Sequence, residues 1–228
     1  MQKITACFPD AVGFLKELEA NNNREWFNAN KKRYEREVRE PAREFIRQFR
    51  PVLESISAYF EADDAKSGGS LMRIYRDTRF REDKTPYKTN IGIQFRHLGG
   101  KDVHAPGFYL HIDSQQLFVG VGAWRPASEA LKLIRERIDE KPEEWLAIVN
   151  GDKLKPFERG GESLKRAPKG YSVDHPLIDE FNRTSHIAIA EADVSLAADS
   201  KLGDWVASHY RAASDYAAFL CAALGVDF

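Results

Sequence analysis

Phe108-Tyr109-Leu110-His111-Ile112-Asp113-Ser114-Gln115-Gln116-Leu117-Phe118-Val119-Gly120-Val121 is the stretch that decides the fold. Phe108, Leu110 and Ile112 alternate with Tyr109, His111 and Asp113, which is the two-residue period of a strand with one apolar and one polar face. The short Asp113-Ser114-Gln115 link before Leu117, Val119 and Val121 reads as a hairpin turn. Upstream, Ile91, Ile93 and Phe95 alternate in the same way with Asn90, Gly92, Gln94 and Arg96. Beyond Gly68-Gly69-Ser70, Met72 and Ile74 alternate with Arg73 and Tyr75. Four short antiparallel strands are therefore expected in the middle of the chain.

Helical spacing flanks them. Val12, Leu15 and Leu18, with Phe8 ahead of them, mark one helix face that stops at Asn21-Asn22-Asn23, a cap and turn. Trp26, Phe27, Tyr34 and Val38 mark a second helix with a heavily charged outer side. Phe45, Phe49, Val52, Leu53, Ile56 and Phe60 form an amphipathic stripe, in which Pro41 predicts a break or restart and Pro51 a kink or a second break. Later, Pro126 suits the first turn of a helix running to Glu140, and Pro142 opens a short one. Residues 151–169 lack a period and read as a surface excursion. Pro176 to Phe181 reads as a short helix, His186 to Ile189 as a last strand, and Leu202 to Leu224 as one closing helix. The fold class is α+β: a mainly antiparallel sheet with N-terminal and C-terminal helices packed on it, in a single domain over 1–228.

With 228 residues, 43% of them hydrophobic, the chain can bury well over half of its unfolded surface. Its 34 basic and 35 acidic side chains leave a formal charge of -1, so bulk nucleic-acid binding and attraction to an anionic membrane are not expected. Cys7 and Cys221 cannot build a disulfide framework or a metal quartet. No apolar run approaches the ~20 residues that span a bilayer, and the first residues make a poor signal peptide, so a soluble cytoplasmic protein is expected. Oligomeric state and cofactor are left open. Walker, dinucleotide, HExxH, CxxC and GxSxG motifs are absent. The histidines, His97, His104, His111, His175, His186 and His209, are dispersed without ligand spacing.

Against that neutral background Arg73, Arg76, Arg79, Arg81, Lys84 and Lys88 crowd into sixteen residues, opposed by Asp77, Glu82 and Asp83. Arginine forks and lysine point charges together hold oxyanions, most commonly phosphate. Asp77 and Asp83 can orient those cations or serve as acid, base or metal ligand. A solvated loop pinned by Arg–Asp pairs, each contributing about 0–1 kcal/mol, would leave the same sequence signature. Phe80, Pro86 and Tyr87 favour a loop ordered against the body of the protein.

Arg76-Asp77-Thr78-Arg79-Phe80 followed by Asp83-Lys84-Thr85-Pro86-Tyr87-Lys88-Thr89-Asn90 resembles a conserved family, domain of unknown function 2461. Phe108-Tyr109 with Gly120, Gly122 and Trp124-Arg125-Pro126, and Arg166 with Pro168-Lys169-Gly170-Tyr171, are similar to further blocks of that family. The resemblance spans roughly residues 8 to 222 and implies no activity, because the family has no settled biochemical role.

Other candidates lie outside the basic segment. Tyr109, His111 and Asp113 line the polar side of the sheet, which either faces water or lines a site. Gly120 and Gly122 leave one strand face bare, a gap that admits a ligand or a neighbouring backbone. Arg125, just before Pro126, could reach an anion at a helix N-terminus, whereas Trp124 is expected in the core. Lys169, with Arg166 and Tyr171, forms a second small basic group.

The leading expectation is an anion-binding domain, possibly an enzyme acting on a phosphorylated small molecule, nucleotide or nucleic-acid end. Its ligands would be Arg73, Arg76, Arg79, Lys84, Tyr87, Lys88, Arg125 and Lys169, with Asp77, Asp83 and His111 as catalytic candidates. The alternative is an interaction module that docks an acidic partner through Arg73 to Lys88, extended by the charged helix from Arg24 to Arg39.

Overall fold

A computed structural model describes residues 4–79, 82–99 and 105–228; Phe80, Arg81 and His104, named above, lie outside the described residues. The three alternating segments around the hairpin form β2 (Ile91–His97), β3 (Gly107–Ile112) and β4 (Leu117–Ala123). With β1 (Phe60–Glu61), β5 (Glu158–Gly160) and β6 (His186–Ala192) they make an antiparallel sheet in the order β1-β2-β3-β4-β6-β5. The β3–β4 turn closes where Asp113 N–H donates to Gln116 O at 2.9 Å.

Because side chains alternate across a strand, register fixes what each face carries. Ile93, Leu110, Val119 and Ala190 lie side by side on the back, all buried. The neighbouring row on the front reads Gln94, Tyr109, Gly120 and Ile189.

The helices cover the back. α1 (Ala11–Ala20) ends at Asn21, and Asn23 caps α2 (Arg24–Tyr34) by accepting the Trp26 N–H at 2.9 Å. The expected break at Pro41 is instead a wide π-helical turn over Glu35–Arg39, in which Glu40 N–H donates to Glu35 O. That turn delivers Pro41 to the first turn of α3 (Glu40–Ile56), where no N–H is needed. Pro51 does not break α3 either. An interior proline costs about 3 kcal/mol. Phe45, Ile46, Phe49, Val52 and Leu53 are all buried by keeping the helix intact, and each is worth ~1.5–3 kcal/mol.

Three further expectations need correction. Met72 to Tyr75 forms no strand; the chain meets β2 at the isolated Leu71–Ile93 bridge, where Met72 N–H donates to Gly92 O at 2.9 Å, and then bridges its own return at Tyr75–Tyr87. There the chain leaves β2 to bond its own return, with Arg76 N–H donating to Pro86 O and Lys88 N–H to Ile74 O. The 151–169 excursion contains β5, which pairs with β6. The closing helix is two, α7 (Leu202–Ala212) and α8 (Ser214–Ala223), joined at Ala213. α5 (Pro142–Val149) opens on its proline as expected, whereas α4 (Ser128–Glu140) starts two residues after Pro126, which lies ahead of its N-cap, and α6 (Ile178–Asn182) two residues after Pro176. Cys7 and Cys221 form no disulfide, and no helix among the described residues is long and apolar enough to cross a membrane.

His186, at the start of β6, is fully buried, 5.8 Å from the Trp145 ring. Burial, together with Arg159, Arg183 and Arg135, pushes its pKa from 6.5 down to about 3. Between those values the unfolded chain binds the proton and the native state does not, so stability must fall as pH falls through this window. The slope contributed by His186 is about 1.4 kcal/mol per pH unit at most. Urea unfolding at pH 7 and pH 4.5 should show a loss that His186→Leu flattens; equal losses in both proteins would refute the assignment.

Candidate functional site

The uncovered front of the sheet is where the polar half of the alternation gathers. A cleft of about 670 Å³ lies along it, lined by Met72, Gln94, Tyr109, His111, Gly120 and Trp124 among others. Tyr109 and His111, which line the cleft, join Asp113 of the β3–β4 turn in a chain of hydrogen bonds. Asp113 Oδ2 meets His111 Nε2 at 3.0 Å, and His111 Nδ1 meets the Tyr109 hydroxyl at 3.1 Å. Asn90 Nδ2 approaches the same Nδ1 at 3.5 Å. The His111 ring lies flat on Phe118, with centroids 4.5 Å apart, which fixes its plane.

The protons in this array can be placed by charge. Burial raises the Asp113 carboxyl, but the N–H groups of Gln115 and Gln116 and the His111 ring outweigh it and hold it below the usual range. An ionised Asp113 accepts, so His111 carries its proton on Nε2 and offers the Nδ1 lone pair to Tyr109. Burial pushes the Tyr109 phenol up to about 12, so Tyr109 stays protonated and donates to Nδ1.

Gly92 makes the room. A Cβ there would stand 2.8 Å from the Tyr109 hydroxyl and 3.0 Å from Met72 Sδ, so both groups converge above bare backbone. Lys88 Nζ lies 4.0 Å from the same sulfur, which brings the basic segment to this point.

A second cleft of about 530 Å³ adjoins the first and is lined by Arg76, Asp77, Asp83, Tyr87, Lys88 and Asn90, together with Glu19 and Asn22. Its anchor is Tyr87, 3% exposed and stacked on Phe27 with centroids 4.0 Å apart. The Asn22 amide brackets Tyr87, donating to its O at 3.0 Å and accepting its N–H at 3.1 Å. Arg76 binds Asp83 at 2.5 Å and also Thr85. The Thr85 N–H and hydroxyl, then Arg76, bring the Asp83 carboxyl down to about 2. Arg79 pairs with Asp77 at 2.7 Å and holds its carboxyl well below the usual range.

Of the residues singled out in the sequence, Arg76, Asp77, Asp83, Tyr87 and Lys88 share the second cleft, and His111 lies in the first. Arg73, Arg79, Lys84, Arg125 and Lys169 line neither. Lys84 Nζ donates to Thr78 O at 2.9 Å. Arg125, two residues ahead of the α4 N-cap, has φ 44°; its N–H donates to Ser185 Oγ at 2.9 Å and its guanidinium pairs with Glu162 at 2.6 Å. Trp124 is not in the core but 62% exposed at the end of the first cleft. Tyr171 packs on Phe181 at 4.1 Å, away from both clefts.

Sequence reasoning did not single out Gly92, Met72, Phe118 and Asn22. Only Gly92 carried a signal, as a glycine inside an alternating strand. Among the described residues no three His, Cys, Asp or Glu side chains are grouped to hold a metal ion.

The model of a family described as "Conserved hypothetical protein (DUF2461)" matches residues 10–219. Neither a curated protein nor a solved structure gives a significant match to the chain.

The proton placement is testable directly. At a pH where imidazoles are neutral, ring ¹⁵N NMR should show His111 as the Nε2–H tautomer, and Asp113→Ala should release it to a mixture. A His111 that is already mixed in the unaltered protein would contradict the array.

Proposed function

We propose that this chain, which belongs to the DUF2461 family of conserved hypothetical proteins, binds a small phosphorylated organic molecule across the front of its sheet and removes a proton from it. The observation that carries the proposal is the Asp113–His111–Tyr109 array, laid in a cleft of ligand size beside the Lys88 ammonium.

A phenol with a pKa near 12 is a poor base on its own at neutral pH. His111 changes that. As Tyr109 Oη takes a proton from the ligand, its own proton passes to His111 Nδ1, and the imidazolium formed is stabilised by Asp113. The ligand loses one proton and His111 gains one. Lys88 and Arg76 are the cations of the adjoining cleft, and a phosphate held there would direct the rest of the ligand toward the Tyr109 hydroxyl. Two cysteines without a disulfide suit a cytoplasmic setting.

The charged helix offers less support for a protein-docking surface. Arg33 is paired with Glu17 and Glu37, Arg36 with Glu37, and Arg39 with Glu35, so an acidic partner would have to displace bonds already made.

A panel of phosphate, pyrophosphate, sugar phosphates and nucleotides should contain at least one compound that raises the melting temperature, and Lys88→Ala should abolish the shift. In D₂O the bound compound should gain deuterium at one position. Tyr109→Phe should still bind it but slow that exchange by ~10²–10⁴-fold. A panel that leaves the melting temperature unmoved would refute the proposal.

A further inference from the structure

The front of β4 carries two glycines for different reasons. Gly122 is demanded by the backbone: its φ is 126°, and a Cβ would stand 2.1 Å from His186 O. Gly120 is not. Its φ lies outside the left-handed region, and a Cβ there would meet nothing among the described residues nearer than the Tyr109 Cβ, at 3.9 Å. Glycine in a strand interior loses entropy and gives up cross-strand packing. A glycine that the fold does not require, in the floor of a cleft, marks where another molecule's flat surface comes close to the backbone.

The surroundings define that surface. Gly107 lies directly across from Gly122 on β3, so the bare floor extends over three glycines. Tyr109 and Ile189 stand on either side of Gly120, and Trp124 closes the end. The neighbouring Arg125 is in the left-handed region, with its guanidinium 5.5 Å from the indole centroid; this strained turn holds the aromatic face at the rim. Gln94 Nε2 leans to 3.7 Å from the Cβ position of Gly107. Its Oε1 accepts from Arg96 Nε at 3.3 Å, which leaves the amide N–H groups as the polar edge of the slot.

A flat slot with aromatic walls and a hydrogen-bonding amide at its edge suits a planar heteroaromatic ring with acceptor atoms on its rim. We infer that the phosphorylated ligand is a nucleotide, with its base on the Gly107–Gly120–Gly122 floor, its edge toward Gln94, and its phosphate end toward Lys88. This rests on the function proposed above and narrows its substrate class.

Titration of AMP, GMP, CMP and UMP against ribose 5-phosphate, followed by tryptophan fluorescence and calorimetry, tests it. One nucleotide should bind at least about tenfold tighter than ribose 5-phosphate. Gly120→Val should fold with an unchanged or higher melting temperature and lose that advantage, while its ribose 5-phosphate affinity stays the same. Trp124→Ala, at an exposed site, should weaken the nucleotide alone and covers the case in which Gly120→Val misfolds. Equal binding of nucleotides and ribose 5-phosphate, or undiminished nucleotide binding by both variants, overturns the inference and leaves the phosphate-binding proposal standing. If neither class binds, both fall.

Discussion

Phe49, Phe95, Phe108 and Tyr210 meet as one aromatic cluster between α3, α7 and the back of the sheet, with Phe49 stacked on Phe95 at 5.3 Å and Tyr210 against Phe108 at 4.8 Å. All four are buried, and large rings of this kind dominate core energetics. Fastening the helices to one face commits the other to remain open. Tyr109 and His111 consequently face the cleft not because they are polar but because Phe108, Leu110 and Ile112 took the other face of the same strand.

Much of this was legible in the sequence because the two periods are local. The alternation at 91–96 and 108–121, the Asn23 cap and the Pro142 helix start each depend on a few neighbouring residues. What was misjudged depended on distant ones. Pro51 sits in an unbroken helix because Phe49, Val52 and Leu53 have partners elsewhere. Met72 to Tyr75 has strand periodicity, but after one bond from Met72 N–H to Gly92 O its backbone turns from the sheet to Pro86 and Lys88. Trp124 has a core-like composition and a rim position, which only the left-handed backbone at Arg125 explains.

The site was legible in place more than in chemistry. The basic segment does border a cleft, but charge counting could not say that Arg76 would be held by Asp83 and Arg79 by Asp77. Nor could it say that Lys88 would reach toward the polar face of β3. A histidine beside an aspartate carries little chemical meaning without a third partner. Tyr109 supplies that partner two residues away on the same strand face, and Gly92 on the neighbouring strand gives its hydroxyl the space to do so.

The two clefts are built from parts of unequal tenacity. Tyr109 and His111 sit in a strand flanked on both sides by full ladders, so their backbone opens only when the whole molecule does. Lys88 belongs to a loop whose return is tied by two backbone bonds and the Asn22 bracket, and such segments open at far lower free energy. The Asp113–His111–Tyr109 array is thus held by the sheet itself, whereas Lys88 is placed by a loop tied at fewer points. Under the function proposed above, capture of a ligand falls to the loop and the chemistry to the strand, so the loop can change its sequence while the strand keeps its aim.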